Sequence, residues 1–70
     1  MKEIKIKTEF IRLDDLLKLA GAVSTGGHAK FVIQSGEVKL DGEVCTMRGK
    51  KIREDSVVEF DGQAFKVKNQ

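Results

Sequence analysis

Two Asp-Gly pairs, Asp41-Gly42 and Asp61-Gly62, constrain this chain more than any other feature. Each lies between short alternating segments: Val38-Lys39-Leu40 before Glu43-Val44-Cys45, and Val57-Val58-Glu59-Phe60 before Phe65 and Val67. Aspartate and glycine both tolerate positive φ, which a two-residue hairpin turn needs if its twist is to match the strands it joins. The C-terminal half is therefore predicted to hold two antiparallel hairpins, with residues 47–56 between them as a loop.

The N-terminal half runs on other periods. Ile4 and Ile6 alternate with Lys5 and Lys7, which predicts a short half-buried strand. Leu13, Leu16, Leu17 and Ala20 then recur at helical spacing, with Asp14 and Asp15 at the positive end of the helix dipole. Gly21 follows as a C-terminal stop. A second helix is predicted to start at Ser24 or Thr25, to run through Ala29, Val32 and Ile33 with Phe31 packed at its edge, and to end at Gly36. The chain has no proline, so its glycines supply the punctuation. The order strand, helix, helix, hairpin-rich sheet describes an α+β unit, a single domain over residues 1–70.

A chain of 70 residues leaves little interior for an enclosed cleft. No run approaches the roughly 20 apolar residues of a membrane span, and the opening Met-Lys-Glu-Ile-Lys-Ile-Lys does not resemble a signal peptide. A cytoplasmic protein that makes no use of a membrane is expected. Cys45 is the single cysteine, so no internal disulfide forms, and with His28 it falls well short of a zinc ligand set of about four. No cofactor or metal is expected, and Cys45 is read as a small apolar packing residue. Thirteen Lys and Arg against eleven Asp and Glu give only +2 net charge, a weak signal for an anionic partner. Distribution says more: Arg48, Lys50, Lys51 and Arg53 crowd one stretch, and Glu54, Asp55, Glu59 and Asp61 follow it. Such a run also suits a plain solvated loop.

The run Ser24-Thr25-Gly26-Gly27-His28-Ala29-Lys30 carries the clearest chemistry. A glycine-rich helix entry exposes free backbone N–H groups beside the positive dipole end, an arrangement that favours phosphate. Ser24 and Thr25 could donate hydrogen bonds, Lys30 adds charge one turn on, and His28 could help when protonated. The same residues also spell an ordinary helix cap, and their spacing is not that of a Walker loop. No catalytic constellation accompanies them: Asp14 and Asp15 are accounted for by the dipole, and His28 has no evident triad partner.

Three blocks in order then carry a resemblance that spans roughly residues 10–60. They are Arg12-Leu13-Asp14 with Leu17 and Gly21; Ser24 with Ala29, Ile33 and Gly36; and Val38-Lys39-Leu40-Asp41-Gly42. Together they resemble the RNA-binding domain named after small-subunit ribosomal protein four, whose hallmark is the αL motif. The run Thr25-Gly26-Gly27-His28-Ala29-Lys30 and the short length are similar to its stand-alone bacterial version, the YaaA/YbcJ group. The resemblance implies two short packed helices against a small, bent, mostly antiparallel sheet, and a non-catalytic module whose partner is structured RNA, ribosomal RNA and ribosomal particles first. By motif it assigns RNA contact to Arg12 and Lys18 of helix one, to Ser24, Thr25, Gly26, Gly27, His28 and Lys30 of helix two, and to Lys39. Arg48, Lys50, Lys51 and Arg53 complete a basic rim. Many members of the wider family carry Arg directly after the helix-two Ser; here Thr25 stands there, so backbone amides and Lys30 must do more. Glu54-Asp55-Ser56 stands where Gly-Asp is common, a change confined to a turn.

Several of these charges have structural alternatives. Arg12 can pair with Glu9, Asp14 or Asp15 instead of RNA, and Lys18 is open to the same choice. Lys2, Lys5, Lys7, Lys66 and Lys68 lie in the terminal strands, where Lys guards sheet edges, and are left outside the site. Phe10, Phe31, Phe60 and Phe65 are expected in the core, and with no Trp or Tyr stacking on single strands is not expected. Recognition of RNA shape through phosphate and sugar by a monomer is the leading expectation. A protein-interaction adaptor that docks on a ribosomal protein or assembly factor is the competing one.

Overall fold

A computed structural model describes residues 1–70. In chain order the elements are β1 (Lys2–Ile6), β2 (Ile11–Arg12), α1 (Leu13–Leu19), α2 (Gly26–Gln34), β3 (Val38–Leu40), β4 (Glu43–Val44), β5 (Lys51–Ile52), β6 (Val57–Phe60) and β7 (Gln63–Asn69). The α+β expectation holds, and both helices and both hairpins fall where the sequence pattern puts them. At the two hairpin turns Asp41 and Gly42 have φ of 50° and 89°, and Asp61 and Gly62 have 52° and 75°, the paired positive values of a type I′ turn.

The helices end alike. After α1, Gly21 (φ 76°) donates its N–H to Lys18 O and Ala22 to Leu17 O; after α2, Gly36 (φ 82°) donates to Ile33 O and Glu37 to Val32 O. This pair of hydrogen bonds is the Schellman arrangement, which needs a left-handed residue and so selects glycine. The Lys2 ammonium also donates to Ala20 O at 3.1 Å, a cation at the negative end of α1.

Five strands form one sheet in the order β1-β7-β6-β3-β4, with β1 parallel to β7 and the other pairs antiparallel. Strand alternation sends Ile4, Ile6, Val38, Val58, Phe60, Phe65 and Val67 to one face, where they meet Leu13, Leu16 and Leu17 of α1 and Ala29, Val32 and Ile33 of α2 in a single core. A seven-residue helix such as α1 is too short to persist on propensity alone, so its three fully buried leucines hold it in place. Residue parity sends Glu3, Lys5, Lys39, Glu59, Lys66 and Lys68 to the other face, away from both helices.

The structure corrects four expectations. Residues 47–56 are not a plain loop: β5 pairs antiparallel with β2, Ile11 opposite Ile52 and Arg12 opposite Lys51, and Ile52 is buried. Strand β7 is interior rather than an edge, so Lys66 and Lys68 guard no edge; Lys68 instead pairs with Asp55 at 2.9 Å. Phe31 is not in the core but 67% exposed, because Ala29, Val32 and Ile33 already form the inward face of α2. Phe10 is half-buried, with Lys51 Nζ 4.9 Å and Arg53 Cζ 5.6 Å from its ring centroid.

Because Ile52 is a buried side chain within an otherwise charged stretch, Ile52→Ala is expected to cost about 2–5 kcal/mol and Ile52→Val about 0.5–1.5 kcal/mol. Urea denaturation checks both; a loss within about 0.5 kcal/mol for Ile52→Ala, as at an ordinary surface position, would contradict this packing.

Candidate nucleic-acid interface

Helix α2 begins at Gly26 with Thr25 as its cap: Thr25 is extended (φ −135°, ψ 159°), and its hydroxyl accepts from the His28 N–H at 3.0 Å. Thr25 O accepts from the Ala29 N–H, the first bond of the helix. The cap thus satisfies His28, while the Gly26 and Gly27 amides before it meet no protein acceptor. Ser24, Thr25, Gly26, Gly27, His28 and Lys30 are all exposed, and His28 and Lys30 take part in no ion pair. The absence of acidic residues from the first turn leaves the positive dipole end uncompensated.

Lys18 joins this entrance from α1. Its ammonium lies 3.9 Å from where a Cβ on Gly26 would stand, and it also pairs with Asp15 at 3.3 Å. The Lys18 ammonium thus stands within van der Waals reach of the start of α2.

The basic stretch reaches the same helices from the other side. Arg12 offers α1 no side-chain cap; instead the Leu13 N–H donates to Lys50 O at 2.9 Å and the Asp14 N–H to Arg48 O at 3.0 Å. Lys50 in turn donates its N–H to Met47 O, closing a tight turn around Gly49. The loop's own carbonyls therefore satisfy two orphan amides of α1 and fix residues 48–50 against its first turn. Gly49 faces the Arg12 guanidinium, which lies 3.7 Å from a Cβ built there. Arg48, Lys50, Lys51 and Arg53 are exposed around this turn.

Three cations of the set already hold carboxylates. Arg12 makes a two-pronged contact with Asp14, Nε to Oδ1 at 3.2 Å and Nη2 to Oδ2 at 3.0 Å. Lys18 holds Asp15, and Arg53 reaches Glu9 at 3.3 Å. Of the alternatives open to Arg12, pairing with Asp14 is the one observed. The acids that follow the basic stretch turn toward β7: Glu54 accepts from the Asn69 N–H, and Asp55 accepts from Lys68. The hydrogen bond and charge of Lys68 hold the Asp55 carboxyl below its ordinary value, and Asp55 likewise holds the Lys68 ammonium above its own. Glu54 and Asp55 are thereby held away from the basic turn, while Glu9, Asp14 and Asp15 stay paired with Arg53, Arg12 and Lys18.

One predicted residue stays apart. Lys39, on β3 opposite Glu59 and Val44, projects from the sheet face turned away from the helices. Sequence reasoning in turn passed over Gly49, Phe10 and Ile52, which shape the basic turn without carrying its charge. No local pattern marks them, since the strand that carries Ile52 is only two residues long.

No group of three or more His, Cys, Asp or Glu side chains is placed to hold a metal ion, and no helix is long and apolar enough to cross a membrane. Cys45 is half-buried against the core, as a packing residue would be.

Comparison with known proteins gives this geometry a context. The chain is similar to the probable ribosome maturation protein RlbA of Bacillus subtilis, 40% identical over 67 residues that cover 94% of each. It is similar to the putative RNA-binding protein YbcJ of Escherichia coli, 41% identical over 61 residues and 87% of each. The solution structure of YbcJ, described as revealing an αL motif involved in RNA binding, superposes with a TM-score of 0.73 at 38% identity, covering 96% of this chain and 86% of that one. The family model for the S4 domain matches residues 4–68, nearly every element from β1 to β7, and the chain belongs to the S4 domain family.

Proposed function

We propose that this protein binds structured RNA, ribosomal RNA first, as a non-catalytic module acting in ribosome maturation in the cytoplasm. The observation that carries this reading is the docking of the basic turn on α1. It joins Arg48, Lys50, Lys51 and Arg53 to Arg12 and, along α1, to Lys18 beside the start of α2. Two sources of positive potential, a helix entrance with free amides and a rigid cationic turn, then lie at the two ends of one short helix. The names of the RlbA and YbcJ relatives support the choice of partner.

In this reading the Gly26 and Gly27 amides take a phosphate directly, with Ser24 and Thr25 at its edge and His28 and Lys30 beside it. Arg48, Lys50 and Lys51 take phosphates further along the strand, and Arg12, Lys18 and Arg53 exchange their carboxylates for phosphate on binding. Lys39, on the far face, lies outside the contact. Contacts of this kind read shape rather than base sequence.

A protein-adaptor reading has one observation in its favour, the exposure of Val44 (56%) on edge strand β4 and of Met47 (63%) beyond it. Purified protein that binds only intact ribosomal particles, and never naked ribosomal RNA, would favour it.

With five or six phosphate contacts, log affinity for ribosomal RNA is expected to fall against log salt with a slope of about −4 to −5. Fluorescence anisotropy from low to high salt measures it, and a flat response would remove the electrostatic basis of the proposal. Replacing Lys50 and Lys51 together by Glu is expected to weaken binding at least about tenfold while lowering stability by no more than about 0.5–1 kcal/mol, the worth of the exposed Lys51–Phe10 contact. Parental affinity in that double variant would place the contact elsewhere.

A further inference from the structure

Phosphate contacts leave the one aromatic residue of α2 without a part. Phe31 is 67% exposed, whereas Phe60 and Phe65 lie in the core and Phe10 is half-buried under two cations. Three and four residues before it on the helix stand His28 and Gly27, its neighbours on the same surface. Helical side chains lean toward the N-terminus, which directs the ring toward the turn that holds those two residues. A Cβ added to Gly27 would meet nothing within 4 Å, so the surface between the ring and the start of the helix is open. Lys30, next in sequence and exposed, has no carboxylate partner. Lys30 is turned about 100° around the helix from Phe31 and both border Gly27, so a flat apolar ring and a free cation flank bare backbone on either side, matching the base, phosphate and sugar of a nucleotide.

We propose that Phe31 is a stacking platform for one unpaired base of the bound RNA, with the phosphate of that nucleotide held by Lys30. This rests on the RNA-binding reading and adds to it that the target presents an unpaired nucleotide, from a loop or bulge, beside its paired shape. Every base has a π-face, so the platform contributes affinity without choosing among bases. Stacking releases no counterions, so its contribution is independent of salt.

The test uses the full chain with purified ribosomal RNA. Phe31→Ala is expected to bind about tenfold more weakly, within roughly five- to a hundredfold, with the parental salt slope. Phe31→Leu does not restore affinity, and Phe31→Trp does. The chain has no Trp or Tyr, so Phe31→Trp introduces the sole indole, whose emission is quenched by ribosomal RNA but not by sodium polyphosphate, which carries charge without bases. Parental affinity in Phe31→Ala, or equal quenching by polyphosphate, would overturn the platform while leaving RNA binding in place. Quenching that grows with protein concentration alone would overturn it in favour of a second copy of the chain over the ring. A parental protein that binds no ribosomal RNA would instead overturn the reading on which the platform rests.

Discussion

The basic side of this surface depends on two backbone hydrogen bonds, from the Leu13 and Asp14 amides to the carbonyls of Lys50 and Arg48. A helix start leaves amides that must find acceptors, and Arg12, unlike Thr25 at the other helix, offers no side-chain oxygen. The basic turn supplies the acceptors, and the β2–β5 ladder and buried Ile52 anchor it behind. A stretch that would otherwise be a solvated, self-repelling loop becomes a rigid extension of α1. The backbone that carries the cations is then held in place before binding, and less loop entropy is lost when a partner is bound.

Pairing of charges within the free protein sets which cations count most. Arg12, Lys18 and Arg53 each face a carboxylate at 3.0–3.3 Å, so a phosphate that claims them must first displace Asp14, Asp15 or Glu9. These exposed pairs are weak, about 0–1 kcal/mol each, and exchange readily, yet their net gain on binding is smaller than that of an unpaired cation. Lys30, Arg48, Lys50 and Lys51 carry no such offset. Glu54 and Asp55, held at β7, keep their negative charge off the same side. A net charge of +2 therefore understates the local field, which arises from arrangement and not from excess.

The elements whose signals are local were legible in the sequence. Asp-Gly turns, helix-spaced leucines and glycine stops each act within a few residues, and the corresponding elements stand where those signals predict. The pairings that cross the chain were not. Nothing local in Lys2–Ile6 shows that it lies parallel to Gln63–Asn69, because that register depends on packing the whole intervening chain between them. The β2–β5 pair is two residues long on each side, too short for periodicity to reveal. Phe31 defied expectation for a related reason: hydrophobicity predicts that aromatics are buried, but a nine-residue helix facing one small core has room inward for only Ala29, Val32 and Ile33. For the candidate site, residue types and exposure were legible. That Gly26 adjoins Lys18, and Gly49 adjoins Arg12, was not, since each contact joins segments set together only by the fold.

In the proposed reading, RNA meets one surface formed by α1, the start of α2 and the basic turn. The most direct measurement is a backbone amide NMR titration of the protein with ribosomal RNA. The account predicts perturbation of Gly26, Gly27, His28 and Lys30, of Lys18, and of Arg48, Lys50 and Lys51, with Glu3, Lys5, Lys39 and Lys66 on the far sheet face unmoved. Perturbation centred on that far face, with the helix entrance and the basic turn silent, would contradict it.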